Sequence, residues 1–343
     1  MKEIKRDTKA CNVILVGMAG SGKTTLMSIL SEKCESYLLN LDPACNDPPY
    51  SPDIDIRDTV NYKEVMKEYN LGPNGAIVTS LNLYSTKIDQ LVNVIEKEER
   101  LTFIDTPGQI EVFTWSASGT VISEAIATFA PTVYLYVVDT ARCVNNPTTF
   151  MANMTYACSI LYKTKLPLII VFTKTDVVSC EKLNQWMDDY DTYLDALNEH
   201  NSYSSELQRS LCLALDEFYN TILHVGVSSK TGDGVDELLK KIEEAKGQFF
   251  DEYYLAVQKK KEMYENEQNR KKDKMMERFK KDRLDEQNDL VDGEFVGSAG
   301  INLFPDQESN VIFRNGQRFV FGKNLDDENE EEGEDDDEDI VQF

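Results

Sequence analysis

Gly17-Met18-Ala19-Gly20-Ser21-Gly22-Lys23-Thr24-Thr25 is the stretch that decides the fold. It follows directly on the apolar run Asn12–Val16 and opens a helical periodicity over Thr24–Ser31. Strand, glycine-rich turn and helix in that order, with the spacing G-x-x-x-x-G-K-[ST], make a cradle for a polyphosphate. The glycines let the chain curl so that backbone N–H groups face phosphate oxygens, and the helix N-terminus adds positive potential. Gly20, Ser21, Gly22, Lys23, Thr24 and Thr25 are therefore the expected phosphate-binding residues. Lys23 is placed to neutralise β- and γ-phosphate charge, and the Thr24 hydroxyl to ligate Mg²⁺.

Outward from this motif, short apolar runs alternate with amphipathic stretches. Strands are expected at Asn12–Val16, Tyr37–Leu41, Leu101–Ile104, Val133–Val138, Leu168–Phe172 and His224–Val227. Each run is nearly continuous in apolar residues, as in a parallel sheet covered on both faces. Helical periodicities at Thr24–Ser31, Lys87–Lys97, Ile122–Phe129 and Val235–Ile242 lie between them. The fold class expected is α/β, a doubly wound, mostly parallel P-loop sheet resembling a G domain. The span from Asp176 to His224 exceeds a simple crossover, so an α-helical insertion at about 181–222 is expected, containing Leu183–Asn198 and Leu207–Thr221. Residues 1–250 then form the nucleotide domain, 251–288 a charged helical extension, and 289–343 a disordered acidic tail.

Two further motifs fit the cradle. Phe103-Ile104-Asp105-Thr106-Pro107-Gly108 is an apolar strand ending in a carboxylate, placed for Mg²⁺ beside Thr24. Gly108 can bring its N–H to the γ-phosphate, and Gln109 stands where it can orient an attacking water. Strand Leu168–Phe172 ends in Thr173-Lys174-Thr175-Asp176, a variant of N-K-x-D. A carboxylate at Asp176 accepts both the imino N–H and the exocyclic amine of guanine, a donor pair that adenine lacks. The Lys174 stem can lie along the base, and Thr173 replaces the usual Asn with a shorter hydroxyl that donates one bond. Ser228-Ser229-Lys230, after His224–Val227, matches a loop that meets the guanine carbonyl oxygen. GTP or GDP with Mg²⁺ is the ligand these residues specify.

Gly72-Pro73-Asn74 lies between the first two motifs. With Asn40-Leu41-Asp42-Pro43-Ala44 and Asp105-Thr106-Pro107-Gly108-Gln109-Ile110-Glu111, it resembles the GPN-loop GTPases. Asp53-Ile54-Asp55-Ile56-Arg57-Asp58 and the run Phe150–Lys165 are also similar, and the resemblance covers roughly Cys11 to Phe250. It is strongest to a eukaryotic member tied to RNA polymerase II assembly and nuclear import, which carries a long charged C-terminal extension. The resemblance implies a dimer, with itself or with a paralogous GPN-loop GTPase, in which Asn74 reaches phosphate in the partner's site. It also implies that Asp42, Gln109 and Glu111 surround the attacking water and metal, that RNA polymerase II subunits or assembly factors are partners, and that the protein is cytoplasmic and shuttles to the nucleus.

Composition narrows the remaining classes. The formal charge is −25, of which −12 lies in Asp326–Asp339, leaving −13 for the rest of the chain. Such a body repels nucleic-acid backbones, so direct DNA or RNA binding is not expected. The apolar runs are too short to span a bilayer, no secretory signal precedes Cys11, and no membrane role is expected. Seven cysteines without a Cys-x-x-Cys pair, beside two histidines, imply mostly buried thiols rather than a zinc site. Two other functions compete with a GTPase switch. An ATP-driven P-loop enzyme conflicts with Thr173–Asp176; a nucleotide-bound scaffold or chaperone with little turnover conflicts with Gln109 and Asp42.

Overall fold

A computed structural model describes residues 4–6, 8–199, 218–219, 221–289, 311–314 and 317–320 of the chain. Seven strands run parallel in the order β3-β2-β4-β1-β5-β6-β7. They are β1 (Cys11–Gly17), β2 (Ser36–Asn40), β3 (Ile54–Asp55), β4 (Leu101–Asp105), β5 (Thr132–Asp139), β6 (Leu168–Thr173) and β7 (Leu223–Val227). The six expected strands are all present, and β3 adds a two-residue edge beside β2, pairing Leu39 with Ile54 and Asn40 with Asp55. β3 is too short to leave a periodic signal.

β1, β5 and β6 are buried along their whole length, which is why their apolar runs do not alternate. Successive side chains enter opposite layers. Val13 and Leu15 pack with Leu26, Met27 and Leu30 of helix Lys23–Lys33 and with Leu238 and Ile242 of helix Val235–Gln248. Ile14 and Val16 share the other layer with Ile77 and Leu81 of helix Pro73–Ser85, Ile122 of helix Ala117–Phe129 and Phe150 of helix Pro147–Thr164. Helices thus cover both faces. Because β4 and β5 flank β1 on opposite sides, the crossovers diverge around β1. A crevice at the strands' C-terminal ends follows from that divergence.

The insertion departs from expectation in one respect. Leu183–Asn198 is not one helix but two, Glu181–Asp188 and Tyr190–Glu199. Asp189 is extended (φ −132°, ψ 106°), and its carboxylate accepts from the Asp191 N–H at 3.1 Å and from the Thr192 hydroxyl. An Asp that caps the following turn ends the preceding helix. Trp186 and Tyr193 pack on Phe150, and the Tyr193 hydroxyl donates to the Pro147 carbonyl at 2.8 Å. Residues 207–217 of the second expected insertion helix lie outside the described residues.

Beyond Gln248 the chain makes a π-helical segment, Phe249–Tyr254, before the α-helix Leu255–Asp289. Phe249 and Phe250 are buried there, with Tyr253 and Tyr254 against the same core. The wider turn brings all four aromatics to one side, and the charged helix that follows carries few apolar anchors. Contacts divide the chain into Met1–Asn269 and Arg270–Phe343. Within 289–343 an antiparallel pair, β8 (Val311–Arg314) and β9 (Gln317–Val320), is described. The acidic run Asp326–Asp339 lies outside the described residues. Of six described cysteines only Cys11 and Cys143 are buried, fewer than expected, because Cys34 and Cys180 sit at helix ends, Cys45 in the loop between β2 and β3, and Cys158 on a helix flank. Among the described residues no helix is long and apolar enough to cross a membrane.

Candidate active site

The C-terminal ends of β1, β2, β4, β6 and β7 deliver the sequence motifs to one edge of the sheet. After β1, Gly20 and Gly22 take positive φ (75° and 98°), and Gly22 caps helix Lys23–Lys33 in the left-handed region. A side chain at either position would strain the turn. At Gly17 a Cβ would run into the Val137 carbonyl oxygen of β5, so close strand packing also demands glycine. Lys23 is 5% exposed, and its ammonium folds over the loop to the carbonyls of Gly17 (2.8 Å) and Met18 (3.2 Å). Burial holds its pKa below the usual lysine range, with the carboxylates of Asp105 and Asp42 pulling the other way. An amine held among carbonyls by a dehydrated pocket is ready for a polyanion, which would replace both weak acceptors.

Asp105 ends β4 beneath this loop. Burial pushes its carboxyl up to about 6, against the Tyr50 hydrogen bond, the Lys23 charge and the Thr24 side chain. Tyr50 donates to Oδ2 at 3.1 Å, whereas Oδ1 is buried without a hydrogen-bond partner. An orphaned carboxylate oxygen beside a hydroxyl and facing a phosphate cradle fits a hard divalent cation, which takes oxygen ligands from protein and phosphate together. Asp42 follows β2, and burial raises its pKa too, against donation from the backbone of Ala44 and Gly108 and the charge of Lys23. The Gly108 N–H expected at a γ-phosphate thus lies next to Asp42.

Gln109 caps helix Ile110–Thr114, and its Oε1 is buried without a partner, as an acceptor for a water would be. Glu111, one residue into the same helix, is exposed; Asp42 and Gln109 are brought to the cradle, but no hydrogen bond or ion pair joins Glu111 to it.

At the base-reading end, Thr173 does more than its length suggests. Its hydroxyl lies 2.6 Å from the Ser21 carbonyl and 3.0 Å from that of Val138, so it ties the phosphate loop to β5 and β6. Lys174, at φ 62°, donates to the Gly20 carbonyl at 3.0 Å and to Asp139 Oδ2 at 2.6 Å. Asp176 is exposed, and its Oδ1 accepts from the Ser228 hydroxyl at 2.9 Å, which joins the two expected base-contacting loops. Ser228 in turn accepts from the Lys230 and Thr231 N–H groups, and the Ser229 hydroxyl beside it is buried and unpartnered.

Asp139 escaped the sequence reading, and Asp55 and Arg57 entered it only within a similar stretch, without a role. Asp139 ends β5, caps helix Thr140–Asn145 and pairs with both Lys174 and Arg142. A carboxylate closing an apolar strand at the sheet's C-terminal edge was its available signal. Asp55 is buried, accepts from Asn40 at 3.0 Å, and is gripped by Arg57 at 2.7 and 2.9 Å. Arg57 also donates to the carbonyls of Cys45 and Asn46, and Asn40 Oδ1 accepts from the Asp42 N–H, so the network fixes the loop carrying Asp42. Burial alone would raise the Asp55 pKa; hydrogen bonds from Arg57 and Asn40 outweigh it and hold the carboxyl below its usual range.

Among the described residues no side-chain hydrogen bond or ion pair joins Gly72-Pro73-Asn74 to these groups. The tripeptide opens helix Pro73–Ser85, with Gly72 as cap and Pro73 in the first turn, where a missing N–H costs nothing. Residues Gly72 to Gly75 are all exposed, a Cβ on Gly72 would meet nothing within 4 Å, and among the described residues the Asn74 side chain has no hydrogen-bond partner. Its tie is the Tyr62 hydroxyl, which donates to the Pro73 carbonyl at 3.3 Å.

Residues 15–248 match a family model described as a conserved hypothetical ATP binding protein. The chain is 51% identical over 280 residues to the GPN-loop GTPase 1 of Dictyostelium discoideum, covering 79% of this chain and 70% of the relative. To the GPN-loop GTPase 1 of Schizosaccharomyces pombe it is 45% identical over 294 residues, covering 81% and 80%. A crystal structure of an apo-form GTPase from Pyrococcus abyssi superposes with a TM-score of 0.61 at 28% identity, covering 68% of this chain and 97% of the other. With identity at this level over most of the relatives' length, and with the phosphate, base and GPN motifs all in one fold, the chain belongs to the GPN-loop GTPase family.

Proposed function

We propose that this GTPase works as a dimeric switch, that Mg²⁺ completes its phosphate site, and that its client is RNA polymerase II during assembly or nuclear import. GTP binding and hydrolysis follow from family membership and the cradle. The words "ATP binding" in the family model's description conflict with the chemistry at Asp176, and the residue decides for guanine. Its carboxylate is held by Ser228 yet open, and adenine would leave it without donors.

The observation that carries the dimer is the contrast between a cradle tied to Thr173 and Lys174 and an exposed Asn74 whose side chain has no hydrogen-bond partner among the described residues. An exposed amide at the start of helix Pro73–Ser85 is open to a second protomer, which supports this reading. In this reading Lys23 and the loop N–H groups bind the triphosphate. Gln109 Oε1 accepts from the attacking water, and Asn74 of the second protomer donates to the γ-phosphate as charge develops. Mg²⁺, held by Thr24 and Asp105, would supply charge neutralisation at the β- and γ-phosphates. The client and the shuttling between cytoplasm and nucleus rest on the resemblance to a member with those roles. The partner protomer is a second copy or a paralogue.

Competition of GTP and ATP for a fluorescent GDP analogue tests the base. GTP should win by at least ~10²-fold; equal potency would contradict the guanine reading. For the client, a Gln109→Leu variant captured from cells should enrich RNA polymerase II subunits over the wild type, and their absence would refute that assignment.

A further inference from the structure

Tyr50 is 7% exposed and arrives at Asp105 on the loop between β2 and β3. The loop is stiff. Pro48, Pro49 and Pro52 restrict it, the Ser28 hydroxyl donates to the Pro49 carbonyl at 3.3 Å, and Leu38 and Asp53 exchange two bonds of 2.8 Å. Farther back, Arg57 grips the Cys45 and Asn46 carbonyls. The tyrosine ring packs with Leu38, Phe103 and Leu26, so its hydroxyl is delivered from a fixed position. There it donates to Asp105 Oδ2 at 3.1 Å and leaves Oδ1 buried and unpartnered.

A carboxylate has a free rotation that would let either oxygen, or both, turn from the cradle. A donor committed to one oxygen removes that freedom and keeps the other available. We propose that Tyr50 is a positioning residue for the metal site: it locks the Asp105 carboxylate so that Oδ1 serves the cation. Through its loop it also links that cation to the segment carrying Asp42. The inference rests on the Mg²⁺ reading above. Simple packing accounts for the ring but not for a hydroxyl aimed at the Asp105 carboxylate beneath the phosphate loop.

Tyr50→Phe keeps the ring and deletes the donor. The test is release of a fluorescent GDP analogue from the full chain, measured across a Mg²⁺ titration and again in excess chelator. In the variant the Mg²⁺ concentration that half-maximally slows release should rise about 10-fold or more. Release in chelator should match the wild type, and so should the thermal melting midpoint without nucleotide, within a few degrees. A titration that superimposes on a Mg²⁺-dependent wild type would overturn the Tyr50 assignment alone. Equal acceleration with and without Mg²⁺ would also overturn it, since that is the mark of a packing defect. A wild type whose release ignores Mg²⁺ would overturn the metal reading and this inference together.

Discussion

The phosphate loop and the Gly72-Pro73-Asn74 turn each open a helix, yet their surroundings are opposite. Around Gly17–Thr24 the chain packs against β5 and β6, folds its lysine inward and ties the loop's carbonyls to Thr173 and Lys174. Around Asn74, residues Gly72 to Gly75 are exposed, and the Tyr62 hydroxyl donates to the Pro73 carbonyl just before it; burial resumes only at Ala76 and Ile77. The first region is tied to its own chain, apart from the orphaned oxygens of Ser21, Asp105 and Gln109 that ligand and water would satisfy. The second presents to solvent an amide able to donate to a phosphate oxygen. In the proposed dimer one chain holds a binding half and exports a catalytic half, and substitutions should separate the two.

The largest effect is expected in the binding half. Asp176→Asn removes the paired acceptor and should weaken GTP by about 2–4 kcal/mol, roughly 30- to 1000-fold, in a direct titration. ATP affinity should change little. A second substitution tests what supports that half. Arg57→Leu would leave Asp55 buried without its guanidinium and should cost about 2–3 kcal/mol in urea unfolding, less than a fully buried pair because Arg57 is one-third exposed. The sign with pH is fixed by the lowered Asp55 pKa. The pair's stabilisation is complete above the unfolded carboxyl's range and is lost as pH falls through the lower folded value, so variant and wild type should converge in acid. Removing everything after Leu325 should do least. Twelve carboxylates cannot form a core, so GTP turnover and melting midpoint should stay close to those of the full chain.

Much of this contrast was legible in the sequence. The cradle, the Asp105 strand and the Thr173–Asp176 loop all follow buried strands, whose unbroken apolar runs mark where a parallel sheet ends and a ligand can begin. The supporting contacts were not legible, because they join residues far apart in the chain. Tyr50 meets Asp105 across 55 positions, and Thr173 meets Ser21 across 152. Nor did periodicity show the break at Asp189, where one capping carboxylate outweighs the apolar spacing on either side. The exposure of Asn74 belongs to the same class, since a Gly-Pro-Asn turn reads identically whether it faces its own site or solvent.

The most direct measurement is GTP turnover by mixed protomers. Asn74→Ala spares the pocket and removes the exported donor; Gln109→Leu keeps the donor and disables the pocket. Each alone should lose about 10²-fold in kcat with GTP affinity nearly intact, because a donor of this kind acts mainly on the transition state. In a mixed dimer one pocket has its own Gln109 and receives an intact Asn74. Mixing the two variants under conditions of demonstrated subunit exchange should therefore restore about one active site per mixed dimer. A mixture that stays as inactive as its parents would contradict the exported half and leave Gly72-Pro73-Asn74 as a surface turn.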